Sequence, residues 1–432
     1  MISYAFPPVG GAGVQRSAKL VKFLHEFGIS PSVLTVSNPS VPLRDEALMR
    51  DIPHGTRIVH AATLEPSYGA KHATWKREAV AYKGFYQRSR QLLMNAARKA
   101  LVPDPQVLWL PGAAAALGRE LRTRSVNCVV VSAPPFSQFL LAPLVRASRH
   151  TGVVLDYRDE WSTARNTYEM LTGSPARIAG ESLEHVVLRV THFVTTATED
   201  FRQHLLARYK FLRPERVVAI PNGYDPDDFS FDSVGLPNDR LIVTYAGTVF
   251  KLTSAVGLLA AIRLVHEREP ELAKALVVRF IGRIVDTEQP HFEGFEKMGV
   301  EQVGYVPHDR VICELSRSHV TLCLLDDVPG VERIYPAKIF ELMYLSQPVL
   351  ALTPEGALSR LVMAHGLGVV VAPRNVERIA EQLSCWLVDF RKGTVPRRHG
   401  HDPASIGKYH RRVLAGEFAA VMRRAASLTS AS

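Results

Sequence analysis

The sequence predicts an α/β protein with two doubly wound parallel sheets in tandem. Three observations carry this. Short Val- and Ile-rich runs alternate with helical stretches almost throughout the chain. Those runs are continuously apolar, as strands covered on both faces must be. One stretch of turn formers and acids, Tyr224–Arg240, interrupts the alternation and marks a linker between two arrays. At 432 residues the chain is too long for one core and suits two or three domains.

In the first array the expected strands are "ISYAF", "PSVLTV", "RIVH", "CVVVSA", "VVLDYR", "FVTTA" and "VVAIPN". The first begins at once and reads as clipped by a residue or more. Between the first two, Val14 to Phe27 reads as a helix, with Leu20, Phe23, Leu24 and Phe27 as its apolar stripe and Gly28 as its stop. The second array holds "LIVTYAG", "VVRFIG", "VEQVGYV", "VTLCLL", "PVLALTP" and "LGVVVAP", and a helical end runs from about Pro403 to Ala426. The expected boundaries are residues 1–230, 240–395 and a helical 396–432 that either stands apart or returns to the first domain. Ligands of such sheets bind outside the carboxyl ends of the strands, so the cleft between two facing sheets is the expected site.

Composition narrows the class. Apolar residues make up 47% and charged residues 22%, as in ordinary soluble globular proteins. There is no apolar run of about 18 residues and no positively charged leader before an apolar stretch, so neither a membrane span nor a secretory signal is expected. Cys128, Cys313, Cys323 and Cys385 show no paired spacing and read as reduced core residues of a cytosolic protein. A net charge of +10 favours anionic partners.

Four loops carry candidate chemistry. "FPPVGGAGVQR" follows the first strand and opens a helix; Gly10 and Gly11 let backbone amides approach a phosphate or sugar, or form a plain flexible turn. Measured against the dinucleotide fingerprint, Gly11 and Gly13 fit, but Arg16 takes the third glycine position and no acid ends the second strand, so NAD binding is not expected. "SAPPFS" sets Ser132 and Ser137 around a stiff Pro134–Pro135 turn. "DYRDEW" sets Asp156, Arg158, Asp159 and Trp161 at a strand end, either as a local salt-bridge network or with Asp159 or Arg158 orienting a hydroxyl or phosphate and Trp161 stacking on a sugar ring. "YPAKIFELMY" puts Pro336 at a helix start and Lys338 and Glu341 on one face, where Lys338 can neutralise a diphosphate and Glu341 can accept both ribose hydroxyls. The plain alternative is an i,i+3 ion pair, which contributes only about 0.2–0.5 kcal/mol.

Taken in order, "FPPVGGAGVQR", "SAPP", "DYRDEW", "IPNGYDPDDF", "YAGTVFK", "VGYVPH" and "YPAKIFELMYLSQPVLAL" with "TPEG" resemble family 4 of the glycosyltransferases over nearly the whole chain. The resemblance implies the GT-B fold, two Rossmann-like domains facing across a cleft, the N-terminal one binding acceptor and the C-terminal one donor. It implies retaining transfer from a nucleotide-sugar, a UDP- or GDP-sugar co-substrate, with no tightly bound metal and no other cofactor. Glu341 then holds the donor ribose and Lys338 the diphosphate, Lys251 is a second phosphate clamp, Gly10 and Gly11 pack against the same diphosphate, and Asp159 is an acceptor-side polar group. Two positions depart from the pattern. Thr248 stands where many members have arginine, and the first of the family's paired glutamates falls on Arg333, with Glu332 one residue out of register.

Three further readings follow. Asp225 and Asp227 form a D-x-D like that of metal-dependent glycosyltransferases, but a solvated turn after "PNG" explains them better. Residues 71–99 carry eight Lys or Arg against one acid, Glu78, interleaved with Trp75, Tyr82, Phe85 and Tyr86. That is the composition of a helix at a membrane interface, or of a solvated basic helix. The membrane reading implies a lipid-linked saccharide acceptor on the cytoplasmic leaflet. No nucleic-acid module accompanies the charge, so nucleic acid is not an expected partner. The alternative function is a non-catalytic relative that binds a sugar nucleotide or an anionic membrane.

Overall fold

A computed structural model of the protein describes residues 1–40, 44–67, 69, 101–161, 174–230, 235–345, 347–398 and 402–430. The basic segment 71–99 lies outside the described residues. The chain divides into two compact units: Met1–Ile220 with Ala415–Ser432, and Pro221–Leu414. The boundary thus precedes the turn-rich stretch Tyr224–Arg240, and the C-terminal stretch 396–432 is shared between the units at Ala415.

The first unit is one parallel sheet. Its strands are β1 (Ser32–Val36), β2 (Arg57–Ala61), β3 (Cys128–Ala133), β4 (Gly152–Tyr157), β5 (Phe193–Thr196) and β6 (Val217–Ala219). Met1–Ser3 joins β1 to β3: Ile2 bridges both Leu34 and Val131, with its amide 2.7 Å from the Val130 carbonyl. The order is therefore β2-β1-(Met1–Ser3)-β3-β4-β5-β6, with the chain's first segment between its second and fourth. The expected strand "ISYAF" leaves the ladder early because the Tyr4 amide donates to the Gln138 side chain at 3.0 Å. The helix after it runs Ala12–Leu24 and tightens into a 3₁₀ turn over His25–Phe27, ended by Gly28 at φ 68°. Trp109, Phe136, Phe139, Tyr157 and Trp161 fill the core.

The second unit repeats the plan with β7 (Leu241–Ala246), β8 (Leu276–Ile281), β9 (Val300–Gly304), β10 (Val320–Leu324), β11 (Val349–Leu352) and β12 (Gly368–Val371), all parallel, in the order β9-β8-β7-β10-β11-β12. All six strands expected from the sequence are present. Alternate residues supply two cores: Leu322 and Leu324 belong to one, Cys323 and Leu325 to the other, which also takes Ile339, Phe340, Leu342 and Met343.

A buried histidine pins a strand start in each unit. The His192 Nδ1 accepts the Val153 amide at 2.9 Å, and the His319 Nδ1 accepts the Ile242 amide at 3.0 Å. An accepting nitrogen carries no proton, so both rings are held neutral; burial lowers the His192 pKa to about 4 and lowers that of His319.

The cysteine reading needs one correction: all four thiols are free, but Cys385 is exposed on the outer face of its helix rather than buried. Among the described residues no helix is long and apolar enough to cross a membrane.

Candidate functional site

In the second unit the strand order reverses between β7 and β10, and a crevice opens outside the carboxyl ends of strands at such a point. Gly247 ends β7 at φ 141°, a backbone conformation that side chains disfavour, and a Cβ added there would sit 2.4 Å from the Lys338 Nζ. The glycine therefore makes both the turn and the room for the lysine. Lys338 is half-buried, its Nζ 3.8 Å from the Tyr245 ring centroid, a cation–π contact of about 0.5–2 kcal/mol. The Lys251 turn follows on the same edge. Its neighbour Leu252 accepts the Asp326 amide at 2.7 Å, which ties the loop after β7 to the loop after β10. Lys251 and Thr248 are exposed.

Lys338 opens the helix Lys338–Tyr344, whose first turn starts at Pro336: the Ile339 and Phe340 amides reach the Pro336 and Ala337 carbonyls at 3.0 and 3.4 Å. Seven residues make a short dipole, so the fixed charge of Lys338 carries most of any attraction for an anion. Lys338 and Glu341 are drawn to different partners rather than simply to each other. The Glu341 Oε1 lies 3.0 Å from the His308 Nε2, and the two side chains are 14% and 15% exposed. The far end of the helix is held by Arg398, whose guanidinium donates to the Met343 and Gln347 carbonyls at 2.9 and 2.8 Å and to the Leu342 carbonyl. Burial lowers its pKa to about 10. Nearby, Glu332 is exposed, pairs with Arg333 and turns an oxygen back to the Gly330 amide at 3.0 Å. Gly356 of "TPEG" packs so closely that an added Cβ would lie 2.5 Å from the Glu332 carbonyl oxygen.

The first unit uses its cations differently. Arg158 is half-buried and donates to the Ala133 carbonyl at 3.2 Å and to those of Gly13 and Pro134, strapping the glycine loop to the "SAPP" turn. Arg16, in the third glycine position, is buried against Asp156 at 2.8 Å and also donates to the Ile220 carbonyl at 2.8 Å. Asp156 accepts Ser132 and Thr195 hydroxyls at 2.6 and 2.8 Å. Burial alone would raise its pKa, but Arg16 and these donors hold it below the usual carboxylate value. Gly10 is half-buried; Gly11, exposed, caps the first helix at φ 107°. Asp159 is half-buried and burial pushes its carboxyl up, against the pull of Arg158 and Arg16.

Trp161 does not stack on a sugar. It is fully buried, its ring 4.9 Å from that of Phe136, so its role is in the core. Ser137 is likewise buried, its amide bonded to Asp104 at 3.0 Å. The D-x-D acids form a turn, the buried Asp225 capping it by accepting the Asp227 amide at 3.2 Å.

Sequence reasoning missed His308, although it lies in "VGYVPH", and missed Arg398, which no local pattern marks. It also took Asp156 for a strand-end charge, where it is the buried anchor of Arg16.

No family model matches the chain. The D-inositol 3-phosphate glycosyltransferase of Kribbella flavida is 25% identical over 229 residues, 50% of this chain and 52% of that protein. D-inositol 3-phosphate glycosyltransferase 1 of Catenulispora acidiphila is 29% identical over 239 residues, 52% and 54% of the two chains. The chain thus spans about half the length of the curated relatives it matches. Among solved structures, sucrose-phosphate synthase from Thermosynechococcus elongatus superposes with a TM-score of 0.65 at 15% identity, over 100% of this chain and 98% of that one. Anabaena HepE in complex with UDP and glucose gives 0.57 at 12%, over 100% and 98%. At these identities the structural likeness establishes the fold. With parallel sheets in the order found and these structural neighbours, the chain has the GT-B fold, and about half of it is similar in sequence to glycosyltransferases.

Proposed function

We propose that the protein transfers a sugar from a nucleotide-sugar, a UDP- or GDP-sugar, to an acceptor hydroxyl with retention. The observation that carries this reading is the pairing of half-buried Lys338 and Glu341 on one short helix beside the switch point of the second sheet. A leaving nucleoside diphosphate gains negative charge in the transition state, and fixed cations aimed at it lower the barrier. In this reading Lys338 and Lys251 meet the diphosphate and Glu341 accepts the ribose hydroxyls. Gly10 and Gly11 offer backbone to phosphate, and Asp159 serves the acceptor. Arg158 contributes by holding the loop that carries Gly13. HepE, which shares the fold, was solved with UDP and glucose, and that supports a nucleotide donor.

The proposal extends to polysaccharide or glycolipid synthesis at the cytoplasmic face of a membrane, with a lipid-linked saccharide as acceptor. The basic and aromatic composition of 71–99 supports it. The lysines take the place of a metal, so turnover should survive EDTA. Glu341→Ala should raise donor KM and lower turnover in a sugar-transfer assay, and unchanged kinetics would overturn the reading. A UDP- or GDP-sugar at 100 times its Kd should stabilise the fold by about 2.7 kcal/mol. The exposed Thr248, where the family pattern that the sequence resembles has arginine, favours a second reading as a non-catalytic binder. Donor hydrolysis by the purified protein separates the two, since a binder shows none.

A further inference from the structure

We infer that His308 is the positioning residue that sets Glu341 for the ribose of the donor; the inference rests on the glycosyltransferase reading above. His308 opens the helix His308–Ser316, after the loop that leaves edge strand β9, and Glu341 sits on the helix that follows β10. The two are therefore brought together by the sheet, not by sequence proximity. Their contact joins Nε2 and Oε1 at 3.0 Å.

The chemistry fixes the direction of that bond. A carboxylate only accepts, so with Glu341 as a carboxylate the Nε2 carries the hydrogen and the remaining oxygen lone pairs face the ribose hydroxyls. Both ends are rigidly mounted. Val306 and Val311 flank His308 and pack on the same apolar cluster that buries Ile339, Phe340, Leu342 and Met343 around Glu341. A lone glutamate on a helix surface would sample several rotamers, whereas one tethered through an oxygen presents its carboxylate in one place before the donor arrives.

The test is calorimetric titration of UDP, GDP and their 2′,3′-dideoxy analogues into wild type, His308→Ala and His308→Gln. Glutamine places an amide donor near the position of Nε2. For the ribonucleotide that wild type binds, His308→Ala should weaken binding about 10-fold, the size of one hydrogen bond to a charged group. His308→Gln should recover most of the loss. The dideoxy analogue, with no hydroxyls for Glu341, should bind wild type and both variants alike. Equal ribonucleotide binding by all three proteins overturns the inference. Equal losses of ribonucleotide and dideoxynucleotide binding also overturn it, because they mean a merely structural role. Wild type that binds neither UDP nor GDP refutes the underlying functional reading, and the inference falls with it.

Discussion

In the first unit the cations beside the switch point are used up by the protein itself: Arg16 neutralises a buried carboxylate and Arg158 straps three backbone carbonyls. In the second unit Lys251 is exposed, and Lys338 rests on an aromatic face with no ion pair among the described residues. Strand order and histidine pins are shared, so the difference lies in the loops. Positive charge that is internally paired builds a scaffold, and positive charge left on a π face stays available to a phosphate. The lesson is that, among the described residues, the cations assigned above to the diphosphate are those that no carboxylate of the fold has claimed.

The sharpest way to break this contrast is Arg16→Met. It leaves Asp156 charged and buried without its partner and should cost about 3–5 kcal/mol of unfolding free energy, read by denaturant titration. Lys338→Met should do the reverse. It should lower kcat/KM for the donor by roughly 10²-fold, while the loss of the cation–π contact alters stability by only about 0.5–2 kcal/mol. Loss of stability in place of activity would make the second unit a scaffold too.

Gly247→Ala and Gly11→Ala refine the comparison. Both residues hold positive φ, so each substitution should cost about 1–3 kcal/mol in strain. At Gly247 an added methyl meets the lysine, whereas at Gly11 it meets no atom of the protein, so donor KM should rise more at Gly247 than at Gly11. The smallest effect is a pH slope. Because the His192 pKa is lowered in the folded state, the unfolded chain binds more protons between about 4 and about 6.5, and stability should fall as pH drops through that window. His192→Gln should flatten that part of a stability-against-pH curve.

Strand placement was legible because a parallel strand buried on both faces must be apolar throughout, and only a few residue types allow that. The Lys338–Glu341 face was legible for a similar reason, since helical spacing alone puts both on one side. Partners were not legible. His308 stands 33 residues from Glu341, and Arg398 stands 55 from Met343; only the sheet order makes them neighbours. Trp161 misled because an aromatic after a strand end reads the same whether it faces a ligand or a core. Phe136, on a separate loop, decides it. The strap made by Arg158 was not legible either, since three backbone carbonyls leave no trace in a residue pattern.

The paired imidazoles have a practical consequence. Each is wedged against a different sheet, so its ring nitrogen resonances in an NMR spectrum belong to one unit alone. Watching the two signals in isotope-enriched protein while temperature or ligand is varied would show whether the halves melt together or in turn.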